Sequence, residues 1–312
     1  MNQHPQSPLY SIVIPVYRSE KILEKTISRI LVVCENEGIK VELVMVNDGS
    51  PDDSWEILER AAKADGRIKA INLLRNYGQH TAVYCGIKES TGDFIITMDD
   101  DLQNPPEELT HLIRKIDEGY DLVFAEFHQK MHAGFRKMGS RIIAYFNNKI
   151  FGKPKYINLT NFRIFNRDTA TRLLAYKTNY PYIPGLLLMS ASKMANVKTE
   201  HHKREIGSSN YTLIRILRLV ARLLFNYSSY PLKIVSGAGI VISLMSFLAG
   251  VFYIAKSIFL GTEVEGWTTI VALLSFLCGF ILIMLGIMGE YLARIMNQLA
   301  SSEPYQIRER IG

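Results

Sequence analysis

The chain is expected to fold as an α/β protein, with a mainly parallel sheet covered by helices, then an amphipathic helix and two membrane-spanning helices. Three observations predict this. From Tyr10 to about Phe127, short β-rich runs alternate with segments of helical length and periodicity. Leu213 to Asn226 carries a single cationic stripe on an otherwise apolar helical surface. Ile234 to Ala255 and Trp267 to Gly289 contain no formal charge.

The strands are predicted at Ser11–Val16, Val41–Val46, Ile68–Leu73, Phe94–Met98 and Asp121–Phe127, and the helices between them at Lys21–Glu37, Ser54–Ala64 and His80–Glu89. Such alternation puts ligands at the carboxyl ends of the strands. After Val46, Ser50 can cap a helix that has Pro51 at its first position and Asp53 three residues on. Beyond Glu126 a helix is expected at about Phe135–Ile150, a strand near Asn161–Phe165 and a helix at Arg167–Ala175; Pro181 to Val197 shows no clear pattern.

At about 1.5 Å per residue, each charge-free run is long enough to cross a hydrocarbon core of roughly 30 Å. Between them Lys256–Glu265 carries two glutamates and one lysine, whereas the outer flanks are basic: Arg215, Arg218, Arg222 and Lys233 before, Arg294, Arg308 and Arg310 after. That asymmetry places both flanks in the cytoplasm. The polar stretch Met1–Pro5 predicts no signal peptide. The boundaries follow: 1–212 a cytoplasmic α/β domain, 213–232 the juxtamembrane helix, 233–256 and 267–290 the spans, and 291–312 a cytoplasmic tail. Cys34, Cys85 and Cys278 lack metal-ligand spacing and fit a reducing compartment. The net charge of +6 could serve nucleic acid, anionic lipid or a phosphorylated substrate. With two spans present, lipid headgroups are the simplest target, and nucleic acid is not expected as a partner.

The densest chemical signal is Asp99-Asp100-Asp101-Leu102-Gln103-Asn104-Pro105-Pro106-Glu107-Glu108, directly after the apolar run Phe94-Ile95-Ile96. Three carboxylates at a strand tip repel one another unless a cation sits there, and a hard oxygen-binding ion such as Mg²⁺ or Mn²⁺ suits them. That ion suggests a diphosphate. The bland alternative is an acidic turn that ends the strand and caps the next helix.

Ile12-Val13-Ile14-Pro15-Val16-Tyr17, Asn47-Asp48-Gly49-Ser50, Arg75-Asn76-Tyr77-Gly78-Gln79-His80 and the aspartate segment, in this order and followed by two apolar runs, resemble the family 2 glycosyltransferases that load a sugar onto a polyprenyl phosphate. The Asn76–His80 and Leu102–Glu108 segments look closest to the members that act on 4-deoxy-4-formamido-arabinose; the glucosyl and mannosyl members are further away.

The resemblance implies a GT-A fold and transfer, with inversion, from a nucleotide sugar to undecaprenyl phosphate at the inner membrane, an activity of the EC 2.4 class. It implies a metal held by Asp99 and Asp101 with help from Gln103, Asp101 being the direct ligand, while Asp100 stands at the variable position beside the nucleotide. Pro15, Tyr17, Glu20 and Asp48 would embrace base and ribose; a carboxylate that accepts the uracil imide favours UDP over ADP without firmly excluding GDP. Asn76, Gly78 and Gln79 would line the sugar pocket. Arg163, Arg204 and Ser209 would hold the acceptor phosphate, with Asp101, Arg163 and Arg204 the residues that carry catalysis.

Three departures stand out: Asn47 where the family commonly has aspartate, asparagines at 158 and 161 where acids are usual, and Asn210 in place of lysine. An acceptor phosphate monoester is largely dianionic near neutrality and needs no general base. The asparagines at 158 and 161 nevertheless motivate a second reading, a catalytically silent relative that binds nucleotide or lipid as a membrane partner. The family also implies homo-oligomers, expected to be tetramers. His201-His202 and His80 lack zinc spacing. Tyr291 is expected at the membrane interface, with Glu290 paired to Arg294.

Overall fold

β1 (Tyr10–Val16) and β2 (Val41–Asn47) are buried along their whole length, as expected of strands covered on both faces, and their mostly apolar sequences follow from that. A computed structural model describes residues 7–127, 134–200, 220–221, 223–260, 266–300 and 303–312. β3 (Ile68–Leu73) and β4 (Phe94–Thr97) complete a parallel set with β1 at its centre, paired to β2 on one side and β4 on the other. The strand order therefore reverses beside β1, and a crevice opens at the carboxyl ends of these strands.

The full sheet runs β7-β5-β6-β4-β1-β2-β3-β8. β5 is Leu122–Phe127, and β6 (Arg163–Asn166) lies antiparallel between β4 and β5. β7 (Met194–Thr199) runs parallel to β5, and β8 (Ile307–Ile311) runs antiparallel to β3. Helices α1 (Leu23–Asn36), α2 (Ser54–Ala64) and α3 (Gln79–Glu89) follow the first three strands, and α4 (Leu109–Ile116) follows the fourth. α5 (Gly134–Phe151), α6 (Arg167–Ala175) and α7 (Ile183–Ser190) complete this unit. Ile12, Ile14, Leu23, Ile30, Leu43, Met45 and Leu58 form its solvent-free centre.

Two expectations are corrected in this unit. Ser50 caps no helix: α2 starts at Ser54 with Asp53 at its N-cap, and Ser50 Oγ instead accepts the Arg18 N–H at 3.2 Å. Nor is 291–312 simply a tail, because helix continues to Ala300 and Ile307–Ile311 is the edge strand.

The chain before the apolar helices and its last residues make one compact unit; the apolar helices make a second. In the second unit, Trp267–Ala300 contains the stretch Phe276–Ala293, of mean hydropathy 2.0 and not buried at all, long and apolar enough to cross a membrane. Tyr230–Leu260 contributes a shorter apolar segment, Tyr230–Ile242, so among the described residues one helix rather than two meets that test. Tyr291 Oη donates to the Ser228 carbonyl at 3.0 Å, and its ring packs on Phe225. The juxtamembrane stripe of Arg215, Arg218 and Arg222, and the Arg294 side chain, lie outside the described residues.

Candidate active site

Four loops meet at the carboxyl ends of β1 to β4: Tyr17–Glu20, Asp48–Asp53, Leu74–Gly78 and Met98–Gln103. The first two are laced together. Arg18 adopts φ 58°, its guanidinium lies 5.4 Å from the Tyr17 ring, and its N–H donates to Ser50. Ser19 N–H donates to Ser54 Oγ at 3.1 Å; Glu20 N–H reaches Asp52 and Asp53 N–H reaches Glu20, both at 3.3 Å. A cleft of about 440 Å³ opens beside them, lined by Tyr17, Ser19, Glu20, Lys21, Pro51 and Asp52 and by Asp100 and Asp101 from the tip of β4. Tyr17 is 43% exposed, with the Arg18 guanidinium over its ring, whereas Pro15 is buried inside β1.

The three aspartates do not share one environment. Asp101 faces the cleft, and its Oδ1 accepts the Gln103 N–H at 3.2 Å, so Gln103 contributes its backbone to the turn. Asp100 also lines the cleft and accepts the Ser19 hydroxyl, while its carbonyl takes Thr26 Oγ1 at 2.9 Å. Burial, opposed by the Ser19 bond and reinforced by Asp99 and Asp101, raises the Asp100 carboxyl to about 6. Asp99 turns the other way, into a niche with Gln79, His80, Thr97, Asn161 and Arg163. There Gln79 Nε2 donates to it at 2.6 Å and Asn161 Nδ2 at 3.4 Å. The outer pair expected to share a metal is thus divided: Asp100 and Asp101, not Asp99 and Asp101, border the open cleft.

Asp48 is 2% exposed, and its two oxygens accept the backbone N–H groups of Tyr77 at 2.7 Å and Gly78 at 2.9 Å. Burial raises its carboxyl above the ordinary range, and those two bonds oppose the rise. Asp48 holds the loop after β3. Gly49 makes the approach possible: at φ 61°, an added Cβ would stand 2.5 Å from the Arg75 carbonyl carbon. Gly78, at φ 94°, is the N-cap of α3 and launches Gln79 toward Asp99; Asn76, beside it, is exposed.

Arg163 stands opposite Thr97 in the antiparallel β4/β6 register, and its Nε donates to Thr97 Oγ1 at 3.0 Å. It is 1% exposed, and Nη1 has no hydrogen-bond partner among the described residues. Burial lowers the guanidinium to about 10, against the pull of Asp99 and Tyr182. This cation backs the aspartate tip instead of standing in the open cleft, as direct contact with a bulky lipid phosphate would require. His80 packs edge-on against Tyr182 at 5.3 Å, and burial, with a smaller push from Arg163, lowers it to about 4. It is a neutral imidazole at pH 7. Asn158 Nδ2 donates to Glu126 Oε1 at 2.6 Å, so a carboxylate reaches this edge from β5 even though residue 158 is an amide. Sequence reasoning passed over Ser19, Thr26 and Glu126, which have no motif of their own. Arg204 and Ser209 lie outside the described residues.

Residues 11–175 match the family model described as glycosyl transferase family 2. The chain is 35% identical over 305 residues to the undecaprenyl-phosphate 4-deoxy-4-formamido-L-arabinose transferase of Photorhabdus laumondii, covering 97% of this chain and 94% of that one. It is 34% identical over 311 residues to that of Klebsiella pneumoniae, covering 99% and 95%. The chain belongs to glycosyl transferase family 2. Family 2 membership agrees with the fold: glucosyl-3-phosphoglycerate synthase from Mycobacterium tuberculosis, solved with Mn²⁺, UDP and phosphoglyceric acid, matches 70% of this chain and 76% of its own at a TM-score of 0.52 and 19% identity. The GT-A-like α/β arrangement expected from sequence is the one observed.

Among the described residues, no group of three or more His, Cys, Asp or Glu side chains is arranged to hold a metal. A site that shares its ion with substrate phosphates needs no such cage. Mg²⁺ is commonly held by one or two carboxylates plus substrate phosphates. Adjacent Asp100 and Asp101 on a cleft wall, with one carboxyl raised by burial and its neighbours' charge, fit that role.

Proposed function

We propose that this family 2 chain transfers a sugar, with inversion, from a UDP-sugar to a polyprenyl phosphate of the undecaprenyl type at the cytoplasmic face of the inner membrane. The observation that carries this reading is the cleft where Tyr17 faces Asp100 and Asp101. It offers a ring for a base and carboxylates for a cation bridging to a diphosphate. The acceptor class comes from the curated relatives, which match along nearly the whole chain.

In this reading Asp101 and Asp100 hold Mg²⁺ or Mn²⁺, with Asp99 behind them. When bound, the ion screens the diphosphate and stabilises charge on the departing nucleotide. Tyr17 and Glu20 flank the nucleoside, and Gln79 and Asn76 border the sugar. The lipid phosphate oxygen attacks the anomeric carbon as the bond to the nucleotide breaks, carrying its own negative charge and needing no base. Arg204 and Ser209 hold that phosphate, while Arg163 sets the potential behind Asp99. Both apolar helices, 233–256 and 267–290, span the bilayer, residues 1–212 face the cytoplasm, and the chain works as a homo-oligomer.

Purified protein with labelled UDP-sugars, undecaprenyl phosphate and Mn²⁺ should yield a lipid-linked sugar. The contrary reading, a silent nucleotide- or lipid-binding relative, draws on Asn158 and Asn161, both occupied with holding carboxylates. Nucleotide binding without product from any donor would establish it.

A further inference from the structure

Leu74, the residue after β3, is gripped on both of its backbone groups by the C-terminal strand. Its N–H donates to the Gln306 carbonyl at 2.9 Å, and its carbonyl accepts Arg308 Nη2 at 3.3 Å. The grip follows from register. β8 pairs with β3 from Ala70 to Leu73, with an irregularity at Asn72/Leu73 that shifts the last pairs and brings Gln306 and Arg308 alongside Leu74.

Beyond Leu74 the chain runs into the loop that Asp48 holds through Tyr77 and Gly78 and that Gly49 lets approach. One end of this five-residue loop is therefore set by β8 and the other by Asp48. Arg308 also shares a cleft of about 240 Å³ with Arg75, Trp55, Ser50 and the buried Asn47–Asn72 amide pair, immediately behind the loop. Arg310, two residues along β8, bonds Glu89 at the far end of α3 instead.

We propose that the strand following the apolar helices is a working part of the donor site, with Arg308 a positioning residue that fixes the Leu74–Gly78 loop and so sets nucleotide affinity. The loop ends where α3 begins, and Gln79 there reaches Asp99. Freeing Leu74 lets the whole segment shift against Asp48 and loosens the bound donor. Arg308 touches neither reacting atom nor metal. Its effect belongs in donor KM and nucleotide Kd and not in kcat. This rests on the nucleotide-sugar reading given above.

The experiment measures UDP binding by calorimetry, and donor KM and kcat, on the full-length detergent-purified protein and on Arg308→Ala, Arg308→Lys and Arg310→Ala. Loss of one charged hydrogen bond to a loop anchor should weaken UDP binding and raise donor KM by about fivefold in Arg308→Ala, with kcat within about twofold. Lysine, able to reach the same carbonyl, should restore most of the affinity. Arg310→Ala, which removes an ion pair from the same strand, should leave donor KM unchanged. Equal losses in Arg308→Ala and Arg310→Ala would show mere strand stability and overturn the proposal, as would wild-type affinity in Arg308→Ala. Failure of the unaltered protein to bind UDP would instead defeat the nucleotide-sugar reading.

Discussion

Gln79 Nε2 lies 2.6 Å from Asp99 Oδ1, so the first residue of α3 is tied to the tip of β4 and one of three consecutive aspartates faces away from the open cleft. The two carboxylates left on the cleft wall should therefore differ from Asp99 in their consequences. Asp101→Ala should lower transfer at least about a hundredfold, the range for losing a group that stabilises developing charge. Asp99→Asn should lose clearly less. Product formation from labelled donor, with circular dichroism to confirm folding, checks the order; equal losses would mean that Asp99 also reaches the cation.

Removing divalent ions provides a second measurement at the same place. EDTA should abolish turnover and Mn²⁺ or Mg²⁺ should restore it, while the melting temperature without nucleotide changes little, because the ion depends on substrate phosphates for most of its ligands. Full activity in chelator would remove the cation from the mechanism.

Gly49→Ala should destabilise the catalytic unit by about 1–3 kcal/mol, since the residue sits at φ 61° and a Cβ would collide with the Arg75 backbone. Thermal melts report the loss. Donor affinity should fall too, because the displaced segment is the one that Asp48 holds.

His80 should make the fold sensitive to mild acid. In the folded chain its imidazole is lowered to about 4 by burial and by Arg163, against an ordinary value of about 6.5. Between these values the unfolded chain binds the extra proton, so the stabilisation is whole above about pH 6.5 and drains away as pH falls toward 4. Urea midpoints of His80→Gln should vary less across that window than those of the unaltered protein.

Arg204→Ala should chiefly raise KM for the polyprenyl phosphate. An effect confined to donor KM would move this residue to the nucleotide side of the reaction.

Much of the fold was legible because the parallel strands announce themselves. Val41–Val46 and Ile68–Leu73 are short and largely apolar, and the structure places strands there within one residue. Less was legible where tertiary pairing decides. Met194–Thr199 mixes polar and apolar residues and is a strand because β5 lies beside it, and Ile307–Ile311 is too charged to declare itself without β3. The site showed the same division. Motif order located the four loops, but whether a carboxylate faces solvent or a neighbouring amide depends on side chains distant in sequence, such as Asn161 and Tyr77. Asp48, Asp99 and Arg163 therefore took up positions that spacing alone could not supply.

The edge strand Ile307–Ile311 also imposes an order on biosynthesis. Its partner β3 emerges from the ribosome more than two hundred residues earlier, ahead of both apolar helices. Throughout that interval the outer edge of β3 presents unpaired amide and carbonyl groups, the arrangement that invites pairing with another nascent chain. That edge of the sheet is covered only once Ile307–Ile311 has been made.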